Sequence, residues 1–185
     1  MPAIAQEAYS KEQFDAAKAL ISGPRGGLRG PFISMIRSPE FMNRAQHLGE
    51  YIRFDSVIPQ RYREFAILNI ARHWQQTYEW HAHVPIAISK GVREEWIEEL
   101  GTTGNLKNLP NDFNVVYQFC KQINLSKCIT DEIYSQTLDL FDEQGVVELC
   151  GLCGYYTMLA MLLNVSQTHP PSGSRQPFHM PRIGN

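Results

Sequence analysis

The chain lacks the features that would settle its class at once. Lys and Arg together number 17 against 19 Asp and Glu, and both signs are scattered. No basic face is therefore available for a phosphate backbone, and nucleic acid is not an expected partner. Cysteine is scarce: Cys120, Cys128, Cys150 and Cys153 lie in helix-like segments with none of the spacing of a disulfide framework, so reduced thiols are expected. The most apolar stretch, Gly145 to Val165, is interrupted by Glu148 and Asn164, so no membrane span is expected. The first eleven residues include Glu7 and no apolar core, which does not resemble a secretory signal and points to the cytoplasm. Convincing alternation of apolar and polar residues is missing as well, and so is any internal repeat, which argues against sheets and solenoids.

What is present is helical periodicity between breakers. Gly and Pro concentrate in 23–31, 101–110 and 170–184. Residues 1–185 therefore read as a single all-α domain with a core at 32–166 and an extended C-terminal arm at 168–185. Ser10 with Gln13 makes a capping-box start for a helix to about Ile21, with Phe14, Ala17 and Leu20 on its inner face. Ser38-Pro39-Glu40 starts a helix to about Phe54, and Pro59 starts one to about Gln75 with one apolar stripe toward the core. Thr77 is the expected N-cap of a helix from Tyr78 to Lys90, closed by Gly91. Helices near 93–100, 112–125, 131–142 and 144–165 follow. Phe178, Met180 and Ile183 suit an arm that packs on a neighbouring surface.

Chemistry is concentrated in 64–83. Glu79 and His83 stand four apart, so on a helix they share a face and can pair. Glu79 falls in the first turn, where the helix dipole favours an ionised carboxylate. Such a pair is a workable acid or base near neutral pH, and the apolar bulk of Tyr78, Trp80, Val84 and Ile86 suggests partial burial. Arg61 and Arg63 serve equally as surface charges or as anchors for a substrate carboxylate. Tyr155 and Tyr156 lie about 100° apart around a helix, so one of them can face a pocket while the other packs. His73, His81, His83 and Glu79 include metal-ligand types but lack ligand spacing, and no metal is expected. Cys150-Gly151-Leu152-Cys153 reads as core.

The run Arg61-Tyr62-Arg63-Glu64-Phe65-Ala66-Ile67-Leu68, then Tyr78-Glu79-Trp80-His81-Ala82-His83-Val84-Pro85, resembles the carboxymuconolactone decarboxylase family. Gly154-Tyr155-Tyr156 through Leu163-Asn164 resembles that family's closing helix. The resemblance implies an AhpD-like bundle of about seven or eight helices that assembles with itself, as a trimer or hexamer. The AhpD branch carries Glu-x11-Cys-x2-Cys-x3-His, and here the same spacing reads Glu64, Gln76, Glu79, His83. Both cysteines are absent, and with them the thiolate attacker and the resolving sulfur that disulfide exchange needs. What the resemblance implies is then a carboxy-lyase or isomerase without a cofactor, acting on a small carboxylated lactone or related enolisable acid. His83, Glu79 and Glu64 are its expected catalytic residues; His81, Gln76, Arg61, Trp80 and Tyr155 are its expected substrate contacts. A thiol oxidoreductase using Cys150 and Cys153, or a small-molecule binding protein without catalysis, are the alternatives.

Overall fold

The computed structural model describes residues 1–24 and 26–181. The helices are α1 (Lys11–Ser22), α2 (Pro31–Met35), α3 (Pro39–Glu50), α4 (Gln60–His73), α5 (Thr77–Ser89), α6 (Glu94–Thr103), α7 (Asn111–Ser126) and α8 (Asp131–Ser166). A π-helical turn, Tyr51–Asp55, continues α3, and no strand occurs among the described residues. The all-α expectation holds.

Helix α4 is the axle. Every residue from Tyr62 to Ala71 is buried, because α5, α6, α7 and α8 all pack on it. The expected single inner stripe is thus corrected: a helix enclosed on all sides buries its whole circumference. Phe65, Ile67, Leu68 and Ile70 are fully buried, each contributing about 1.5–3 kcal/mol. Enclosure also draws Arg63, Glu64 and Asn69 inside, where each needs a partner.

The capping box at Ser10 and Gln13 is formed, but α1 buries Ala16, Ala17 and Leu20 while Phe14 stays exposed. Ser38 and Pro59 occupy N-cap positions without a side-chain bond. The two helices expected at 131–142 and 144–165 form one bent element, α8, broken at Asp142, whose φ of 57° is non-helical. Gly145 permits the bend, since a Cβ there would lie 2.2 Å from the Cβ of Phe141.

Helix α8 also corrects the expectation about long apolar segments. By length and composition it holds a window able to cross a membrane, with mean hydropathy 1.7, and half of that window is buried in the bundle.

The C-terminal arm lies on the outer side of α5. Phe178 and Met180 are buried; Phe178 stands edge-on to Trp80 at 5.2 Å with the Arg72 guanidinium 5.0 Å over its ring. Ile183, expected to pack with them, lies outside the described residues.

Candidate active site

Helices α4 and α5 form a hairpin, turned by Gln75 at φ 50°. Glu64 near the start of α4 thereby faces His83 in the second half of α5. His83 Nδ1 lies 2.7 Å from Glu64 Oε2, and both side chains are buried. A carboxylate on Nδ1 makes that nitrogen the donor, so the neutral ring keeps Nε2 free to take a proton. Tyr156 of α8 closes against the ring edge-to-face, with centroids 5.3 Å apart.

The partner of His83 is therefore Glu64, 19 residues away, where the i,i+4 spacing had suggested Glu79. Glu79 is 3% exposed, and its Oε2 has no hydrogen-bond partner among the described residues. Burial pushes its carboxyl well above the usual range. The expected ionisation in the first turn of α5 is thus corrected. The end-of-helix field is worth at most about 2 kcal/mol, against several for desolvating an anion. The amides that would have helped are already taken, since Gln76 Oε1 accepts from the N–H groups of Tyr78 at 2.6 Å and Glu79 at 3.3 Å. Gln76, not Thr77, is the N-cap.

Glu79, His81 and His83 line a cavity of about 490 Å³ with Phe32, Tyr156 and Leu159 among its apolar walls. Glu64 stands behind His83. Four expected contacts lie elsewhere. Gln76 is fully buried, committed to the cap and to Asn164 Oδ1 at 2.9 Å. Trp80 faces Phe178 and Gly101 on the opposite side of α5. Arg61 donates to Tyr62 Oη at 2.6 Å and sits 3.9 Å from Asp112. Tyr155 is buried against Tyr156, with ring centroids 5.5 Å apart, and Tyr156 is the tyrosine on the cavity wall. Arg63 donates to the Ile52 carbonyl at 3.2 Å.

Sequence reasoning missed Arg29 and Arg53, which line the same cavity. The glycine-rich run 23–31 carries one and the last turn after α3 the other; neither segment has a period that would assign a direction to its side chains.

Of the two cysteines read as core, one departs from the expectation. Cys150 is exposed and Cys153 buried, and Cys153 Sγ lies 3.9 Å from Cys120 Sγ on α7. The Cys120 contact and burial hold the Cys153 thiol well above its usual value, away from the thiolate a redox centre needs. Among the described residues no three His, Cys, Asp or Glu side chains converge as metal ligands, and His73 lines a different cavity.

With this geometry in place, comparison becomes informative. Residues 39–103 match the carboxymuconolactone decarboxylase family. That segment runs from α3 to α6 and holds Glu64, Glu79 and His83. A crystal structure from Agrobacterium tumefaciens, described as a protein of unknown function and provisionally as an antioxidant defence protein AhpD, shares the fold with a TM-score of 0.66. The likeness covers 77% of this chain and 99% of that one at 12% identity, so it speaks to fold alone. No curated protein shows a significant sequence match.

Proposed function

We propose that the protein is a cofactor-free acid–base enzyme, a lyase or isomerase acting on a small carboxylated lactone or related enolisable acid. One observation carries this: a histidine oriented by a buried glutamate and a second glutamate kept neutral border the same cavity. A histidine with one ring nitrogen held by a carboxyl and an acid raised by burial supply a base and an acid together. His83 Nε2 removes a proton from carbon, or returns one to it after carbon dioxide leaves. Glu64 holds the ring and balances the charge of the imidazolium. The protonated Glu79 donates a hydrogen bond to the enolate oxygen as its charge develops, which lowers the barrier without a metal. In a decarboxylation the C–C bond electrons enter the conjugated carbonyl, and a proton that His83 Nε2 has first taken up from solvent then goes to carbon, leaving the ring neutral.

The test is a screen of wild type and His83→Ala against carboxylated lactones and β-keto acids, reading carbon dioxide release and deuterium uptake. Turnover in wild type that is lost in the variant is expected; turnover retained in His83→Ala would overturn the assignment.

A cytoplasmic location fits the exposed thiols of Cys128 and Cys150. Self-association as a trimer or hexamer fits Val147, Met161 and Val165 on the outer face of α8, and Phe41, Leu48 and Phe54 beside α3, all exposed. Light scattering at the mass of one subunit would contradict it.

A further inference from the structure

The charged groups on the cavity wall are unequal. Glu79 is the one carboxylic acid lining it among the described residues, and burial disfavours its charged form, while Arg29 and Arg53 bring two guanidinium groups. Four of the other described arginines pair with carboxylates, Arg44 with Glu40, Arg61 with Asp112, Arg93 with Glu95 and Arg175 with Glu98, while Arg37 and Arg63 donate to backbone carbonyls. Arg72 donates to the carbonyls of Leu100 and Gly101. Arg29 and Arg53 have no carboxylate partner among the described residues. Arg29 makes one long bond, 3.4 Å, to the Gly26 carbonyl, and Arg53 lies 5.5 Å from the Phe54 ring centre.

Both are held where the cavity can use them. A Cβ on Gly27 would lie 2.9 Å from Arg29 Nε, and one on Gly30, at φ +55°, would lie 2.5 Å from the Tyr78 ring. The loop bearing Arg29 therefore seats against α5 through the missing side chain of Gly30, while Gly27 leaves room for the Arg29 side chain itself. Arg53 acts from the far side: its charge opposes the rise that burial imposes on the Tyr156 hydroxyl, and Tyr156 touches His83.

Resting on the acid–base assignment above, we propose that Arg53 and Arg29 are the specificity-determining residues of this site, anchoring a substrate carboxylate that takes no part in the reaction. A guanidinium fork recognises a carboxylate in two parallel bonds and has strong reason to do so where no protein acid competes. The anchored carboxylate is a spectator, because pairing stabilises the anion and opposes its departure as carbon dioxide. Chemistry falls on the carbon that the anchor presents to His83.

Binding of an unreactive probe separates this from the catalytic assignment. Glutarate and dimethyl glutarate are titrated by calorimetry into wild type, Arg53→Gln, Arg53→Lys, Arg29→Gln and His83→Ala. Glutarate is expected to bind wild type and His83→Ala alike and dimethyl glutarate neither. Arg53→Gln should weaken glutarate on the order of tenfold to a hundredfold, with partial recovery in Arg53→Lys. Equal binding of acid and ester, no glutarate binding to wild type, or undiminished affinity in both glutamine variants would overturn the anchor. Binding that depends on Arg53 without any His83-dependent turnover would instead leave the anchor standing and remove the catalytic assignment. Turnover that needs His83 but has an unchanged KM in Arg53→Gln would do the reverse.

Discussion

Two buried glutamates, Glu148 and Glu79, show how the surroundings of one side chain decide its state. Glu148, on α8, is surrounded by donors: Tyr51 Oη at 2.5 Å, the Val57 N–H at 2.8 Å and Gln144 Nε2 at 2.8 Å. Burial raises its pKa, yet the hydrogen bonds outweigh burial and bring it to about 2. Glu79 is the more deeply enclosed, its Oε2 has no donor among the described residues, and burial raises its pKa. The first carboxylate is a permanent anion that ties the turn after α3 to α8. The second is pushed by burial toward its neutral form. The count of donors together with depth separates the two carboxyls.

The sharpest way to break that contrast is to remove each carboxylate in turn. Glu79→Gln is expected to lower turnover about 10²- to 10⁴-fold with the helical circular dichroism unchanged. Glu148→Gln should leave turnover within a few-fold and lower stability at pH 7 by about 1–3 kcal/mol, read from urea midpoints. If Glu148→Gln silences the enzyme while folded, the division of roles is wrong.

The pH dependence of stability sharpens it further, because the signs are opposite. Glu148, with its pKa lowered from 4.5 to about 2, contributes stability above pH 4.5 that is lost as pH falls toward 2. Glu79, raised above 4.5, stays protonated in the fold while the unfolded chain ionises. Its contribution is full below pH 4.5 and is lost as pH rises through its folded value. Urea midpoints across pH 2–9 should show the acid limb flattened in Glu148→Gln and the descending neutral limb flattened in Glu79→Gln.

The smallest effect concerns the cap that leaves Glu79 without amides. Gln76→Ala should cost about 1 kcal/mol and free the Tyr78 and Glu79 N–H groups. The measurement is a urea midpoint together with the Glu79 titration by NMR, whose pKa should move down. A Glu79 titration unchanged in that variant would mean the cap has no hold on it.

These particulars also mark how far sequence goes. Helix starts at Ser10, Pro39 and Pro59 were legible because caps and prolines act locally, and so was the αL closure at Gly91. That Glu79 and His83 line one cavity, with Glu64 bonded to His83, agrees with the segment the spacing singled out. Their wiring was not legible. Spacing along α5 names Glu79 as the neighbour of His83, whereas the hairpin supplies Glu64 from another helix, and only the fold can say so. Thr77 has the better intrinsic capping propensity than Gln76, yet Gln76 takes the position because its amide also reaches Asn164. Arg29 and Arg53 escaped because loop and π-turn residues follow no period from which a face can be assigned.

The lone Oε2 of Glu79 has a consequence for anyone seeking a hardier version of this protein. A buried polar atom without a partner is a standing cost, about 1–3 kcal/mol, and replacing its side chain with leucine or methionine removes that cost at once. A selection scored on heat resistance alone should therefore reach position 79 early and, on the role proposed for Glu79, return molecules that outlast the parent without its turnover.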